Sequence, residues 1–149
     1  MSFNIRTMVV DDTDAVMQLI REEAIYHDQL EFVRIDKDTF IDKAFGKDAL
    51  FGVYVAELDG ELIGYVSYTI NFSIWAGHKY MNIDDVFVTE ACRGMGAGRK
   101  LMHSVKDGAL AAGLTMIRWE VEVDNQRAIR FYEGLGAGYR QKGIFNWSV

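Results

Sequence analysis

Apolar positions along the chain change period several times, and those changes divide it into elements. Phe3 to Met8 alternates as a first strand does. Ala15, Val16, Leu19, Ile20 and Ala24 recur at helical spacing behind Asp11, Asp12 and Asp14, acids that suit a helix N-terminus. Residues 12–26 are therefore predicted to form an amphipathic helix. A second helix is expected over 37–45, opened by Asp36 or Asp38 and closed by Gly46. Period two takes over at Phe51–Leu58 and Glu61–Thr69. Asp59-Gly60 between them signals a two-residue hairpin, because glycine tolerates the positive φ of a type I′ turn. A loop with Asn71, Trp75, Gly77 and His78 precedes a strand from about Lys79 to Thr89, most apolar at Val86, Phe87 and Val88. Leu101, Met102, Val105, Ala109 and Ala112 then mark a helix ended by Gly113. Thr115–Val123 alternates, with Ile117, Trp119, Val121 and Val123 on one side and Arg118, Glu120 and Glu122 on the other. Asp124 or Asn125 opens a last helix, and Gly134–Gly138 leads into one or two short C-terminal strands. The predicted order is β-α-α-β-β-β-α-β-α-β, with room for one more strand. That is an α/β fold with a mixed sheet and helices on both faces.

Composition narrows the class. With 149 residues and no repeat, linker or low-complexity stretch, one domain spanning 1–149 is expected. Proline is absent, so Gly, Asn and Asp must make the turns. The net charge is −6 with no basic run, a poor match for nucleic acid or an anionic membrane; it suits a cationic partner or simple solubility. A lone cysteine, Cys92, forms no internal disulfide, and no apolar leader or 18-residue apolar stretch occurs. A cytoplasmic protein without membrane contact is expected. His27, His78 and His103 lack metal-ligand spacing, so no metal is expected.

The segment Arg93-Gly94-Met95-Gly96-Ala97-Gly98 lies between a predicted strand and a predicted helix. Three glycines in five positions remove the Cβ atoms that would block approach to the backbone. The amides opening the next helix, with its dipole, then make an anion site suited to a pyrophosphate. A dinucleotide fingerprint would need a third glycine at position 99, which is Arg99, and a G-x-x-x-x-G-K-[ST] loop is absent. A tight strand–helix turn is the other reading of the same glycines.

Arg93-x-x-Gly96-x-Gly98, followed by Asn125-x-x-Ala128-x-x-Phe131-Tyr132 and preceded by Asp84-Asp85-Val86-Phe87-Val88, resembles the motif set of the GNAT superfamily of N-acetyltransferases. The element order is similar as well. Tyr26, Phe45-Gly46, Trp75-Ala76-Gly77 and the Asp84-Asp85 pair look most like its spermidine/spermine and thialysine N-acetyltransferase group. Departures are Glu90 where a proline is common, Asp84 where polyamine enzymes have Glu, and His27 where they have an acidic residue.

The resemblance implies acetyl-CoA as cofactor and direct attack of a primary amine on its thioester. The loop from Arg93 to Gly98, including Gly94, Met95 and Ala97, together with Arg99, would take the phosphates. The Val86, Phe87 and Val88 backbone, with Asn125 and Ala128, would take the pantetheine arm. Tyr132 would be the acid for the leaving thiolate, a phenol that stays protonated at neutral pH. A lysine-like amine is neutral only ~0.04% of the time at pH 7, so a base is needed. Asp84 is the candidate, with Asp85 as alternate, since neighbours on a strand face opposite ways and only one of the pair can face the substrate. Tyr26, His27, Trp75, Trp119 and Glu120, with the two aspartates, are candidates for the acceptor pocket. Trp119 also suits core packing, and Glu22, Glu23, Asp28 and Glu31 read either as solvated charges or as attractors of a cation. Cys92, without an evident partner, reads as inert rather than as a nucleophile. The expected acceptor is a polyamine, diamine or lysine/ornithine-like amine. A protein lysine or N-terminus is the alternative, then a non-catalytic acyl-CoA-binding module. A homodimer is implied by the resemblance.

Overall fold

The structure, a computed structural model, describes residues 2–149. The chain divides into two compact units, one running to Trp119 and one from Glu120 to Val149. In the first, β1 (Asn4–Thr7) leads through a 3₁₀ turn into α1 (Thr13–Tyr26), then α2 (Lys37–Phe45), β2 (Gly52–Leu58), β3 (Glu61–Ser73), β4 (His78–Val88), α3 (Ala97–Ala111) and β5 (Ile117–Trp119). The sheet order is β1-β2-β3-β4-β5, antiparallel up to β4 and parallel between β4 and β5, the mixed sheet that the pattern predicts.

Local chemistry explains the boundaries. Asp36 Oδ1 accepts the Thr39 amide at 2.7 Å and opens α2. The β2–β3 hairpin turns on Asp59 and Gly60 with φ of 52° and 83°, the positive pair of a type I′ turn. Arg6 on β1 donates to both Asp12 oxygens at 2.7 and 3.0 Å and to Glu57 at 3.0 Å, tying the first strand to the start of α1 and to β2.

Helices cover both faces of the sheet. On one, Val16 and Leu19 of α1 and Phe40 of α2 pack with Val53, Val55, Tyr65 and Phe87. On the other, Tyr54 reaches α3, where its hydroxyl lies against Gly108.

In the second unit Asn125 caps α4 (Gln126–Gly134), accepting the Ala128 amide at 3.1 Å. Two expectations change. Residues 135–149 form neither helix nor strand, so the C-terminal strands expected after Gly134–Gly138 are absent among the described residues: a strand forms only where a neighbouring ladder takes its backbone groups. The strand expected over 115–123 is reduced to Ile117–Trp119 for a related reason, since β5 pairs only with Met81–Ile83 and β4 changes register next. No helix among the described residues is long and apolar enough to cross a membrane.

Candidate active site

The register change is a β-bulge in β4. Ser67 of β3 faces Asp85 and Tyr68 faces Ile83, which leaves Asp84 as the extra residue. A regular strand would send Asp84 and Asp85 to opposite faces. The bulge instead brings both to the wall of one cleft of about 360 Å³, correcting the expectation that only one could face it. The bulge also resets the direction of the backbone. The Met81 amide turns to the β5 side, onto Met116 O at 3.0 Å, and the Thr89 amide turns to β3, onto Ile63 O at 2.8 Å. Backbone groups alternate along a strand, so the Val86 and Val88 amides face the edge beyond the β5 ladder and the Phe87 amide faces β3. Phe87 is buried against Tyr65.

The carboxylates differ. Asp85 accepts from Ser67 Oγ at 3.1 Å, and its surroundings raise its pKa by desolvation, offset in part by that hydrogen bond and by His27. Asp84 Oδ1 accepts from Asn82 Nδ2 at 3.1 Å. Behind the wall, Tyr65 donates its hydroxyl to Glu23 of α1. Burial pushes the Glu23 carboxyl up from an ordinary 4.5 to about 7; the Asp85 charge adds to this, while Tyr65 and Arg93 oppose it. Burial and the Glu23 charge also raise the Tyr65 phenol. Glu23, expected either as a solvated charge or as an attractor of a cation, thus faces the core side of its helix. The signal was present, because it stands four residues after Leu19 and seven after Val16 on the same stripe. Tyr65, Ser67 and Thr69, which also line the cleft, carry no motif; only strand pairing brings them there.

The glycine turn has the open form needed for an anion. Gly94 and Gly96 have φ of 78° and 88°, and a Cβ on either would meet nothing within 4 Å. Gly96 caps α3, whose first internal bond is Lys100 N–H to Gly96 O at 3.1 Å. The amides of Ala97, Gly98 and Arg99 therefore precede any helical acceptor. These residues fit a diphosphate: positive-φ glycines clear the approach, and helix-opening amides face it. Met95 and Arg99 are exposed on the same turn. The Arg93 side chain folds back instead, its Nε donating to Val88 O at 3.0 Å and its guanidinium 4.3 Å from the Tyr26 ring centre and 5.5 Å from that of Phe87. It anchors the turn to β4.

Not all expected residues meet at the cleft. Tyr26 lines a smaller cavity of about 160 Å³ with Arg93, Glu22 and Glu90, and its ring lies 5.2 Å from that of His27. Trp75 is fully exposed on the β3–β4 turn and lines neither cavity. Trp119 is half-buried on β5 beside Ile83. Glu120, Asn125, Ala128 and Tyr132 belong to the second unit. There Tyr132 is half-buried, 5.3 Å from the Phe131 ring, and the Asn125 oxygen caps α4. Among the described residues no group of three His, Cys, Asp or Glu could hold a metal ion.

The model of the Acetyltransferase (GNAT) family matches residues 13–137. A thialysine N-ε-acetyltransferase of Bos taurus is 31% identical over 141 residues, covering 89% of this chain and 82% of that protein. A spermidine/spermine N(1)-acetyltransferase-like protein of Homo sapiens is 26% identical over 91% of this chain and 20% of its own length. Among solved structures, an aminoglycoside acetyltransferase from an uncultured soil metagenomic sample superposes with a TM-score of 0.87 at 18% identity, covering 99% and 96% of the two chains. The strand–glycine turn–helix unit, the mixed sheet and these matches agree: the chain belongs to the GNAT acetyltransferase family and is an N-acetyltransferase that uses acetyl-CoA.

Proposed function

We propose that the acceptor is the primary amine of a small cationic molecule, bound in the cleft walled by Asp84 and Asp85. The observation that carries this reading is the bulge that turns both carboxylates to one cavity. The names of the bovine and human relatives, a thialysine N-ε-acetyltransferase and a spermidine/spermine N(1)-acetyltransferase-like protein, support it.

Bound acetyl-CoA supplies an activated acetyl thioester; the remaining tasks fall to the chain. The turn from Gly94 to Arg99 holds the diphosphate by its amides. The Val86 and Val88 amides, on the free edge of β4, polarise the reacting carbonyl. Asp85, its pKa raised by desolvation, is a better base than an ordinary carboxylate, and we assign it the proton taken from the ammonium. Asp84 holds the cation beside it. Tyr132 gives its phenolic proton to the departing sulfur.

The test is CoA release with a panel of primary amines. Asp85→Asn is expected to lower kcat by about 10²–10⁴, the usual contribution of a positioned base. Asp84→Asn should mainly raise KM. Unchanged rates in both variants overturn the assignment. We read the acting form as a cytoplasmic homodimer, supported by the exposed apolar side chains of Ile144, Phe145 and Trp147 in the C-terminal segment. A monomeric mass by light scattering at 10–100 times the assay concentration would refute the dimer.

A further inference from the structure

We infer that the amine bound here carries its charge at one end and an apolar body at the other, a monocationic alkyl- or arylalkylamine rather than a polyamine. This rests on the acceptor reading above and narrows it.

The cleft is divided across the sheet. Asp84 and Asp85 stand on β4, Ser67 and Thr69 on β3, and the far wall is Val53 of β2 with Ile20, Ile35, Phe40, Leu50 and Phe51. Neighbouring strands are about 4.8 Å apart, so β2 lies about 10 Å from the carboxylates. Among the described residues lining the cleft, Asp84 and Asp85 are the charged ones, and both are at the β4 end. An amine held there must extend its body toward β2 or back to solvent. Toward β2 it meets side chains that offer no hydrogen bond and no counter-charge. A second ammonium placed there would lose its hydration without compensation. A methylene in the same place gains about fourfold in affinity, or about 0.8 kcal/mol. The apolar wall reaches the surface: Leu50 is 65% exposed and Ile35 36%, so they form a lip that a free body can close.

The experiment compares two amines of equal length, n-hexylamine and 1,6-diaminohexane, with spermidine as a third, by CoA release at pH 7.5. The expected kcat/KM for hexylamine exceeds that for the diamine by at least tenfold. Leu50→Glu, an exposed substitution that places a carboxylate at the far end, should narrow or reverse that ratio. A wild-type preference for the diamine or spermidine overturns the inference while leaving the small-amine reading intact. No release with any of the three, while acetyl-CoA still binds, overturns both. An unaltered ratio in a folded Leu50→Glu protein also counts against the apolar wall as the selector.

Discussion

At the scale of single residues, Glu23 couples the fold to pH. Its folded pKa of about 7 lies above its ordinary 4.5, so between those values the native state binds protons more tightly than the unfolded chain does. Its contribution is therefore harmless below pH 4.5, grows more unfavourable as pH rises through the window and is complete above 7. Glu23→Gln keeps a partner for the Tyr65 hydroxyl and removes the titration. Denaturant unfolding should show the variant more stable than the parent at pH 8, by up to about 3 kcal/mol, and equal to it at pH 4. Equal stability at both would mean that Glu23 is not desolvated. Asp12 has the opposite sign. The Arg6 fork holds its carboxyl below the usual carboxylate range, so its stabilisation is present at neutral pH and is lost as acid protonates it. Asp12→Asn should cost about 1 kcal/mol at pH 7 and progressively less as pH falls below the usual carboxylate range, read by thermal melts across that range.

At the scale of elements, the glycine turn makes a sharper demand. Gly60 and Gly96 both have positive φ and open space around them, so alanine at either should cost about 1–2 kcal/mol of stability. Only Gly96→Ala should also weaken acetyl-CoA binding, measured by calorimetry. An equal loss of affinity in Gly60→Ala would show that instability, not the turn, is responsible. Much of this level was legible in the sequence. The α2 boundaries, the Asp59-Gly60 hairpin and the strand–glycine turn–helix follow from local signals: a cap, a φ requirement and a helical period. The bulge was not legible, because an extra residue is defined only against the partner strand that it mispairs with. That is why the Asp84–Asp85 pair read as one inward and one outward carboxylate. Trp75, a candidate for the acceptor pocket, stands in solvent on its turn, because local sequence does not say which way a loop side chain projects. The C-terminal strands, expected after the Gly134–Gly138 turn, failed for want of a ladder, which a local turn signal cannot supply.

At the scale of the whole molecule, one strand serves several purposes. β4 pairs with β3 along its length and with β5 only as far as Ile83, and it then bulges at Asp84. That single irregularity turns two carboxylates into the cleft, and the Val86 and Val88 amides stand on the free edge. Deleting Asp84 should restore a regular ladder with the same residue pairs on either side, so that the Val86 and Val88 amides keep their edge and Asp85 its face; the loss of the Asp84 carboxylate should then raise KM in a protein that still folds. An unchanged KM in the deletion would show that the bulge is incidental. The diphosphate site is the premise on which the chemistry depends, and titration of ¹⁵N-labelled protein with coenzyme A tests it most directly. The account predicts that the largest amide shifts fall on Gly94, Gly96, Ala97 and Gly98, with Gly60 and Gly113 unmoved. Saturation of binding with the Gly94–Gly98 amides unshifted would contradict it.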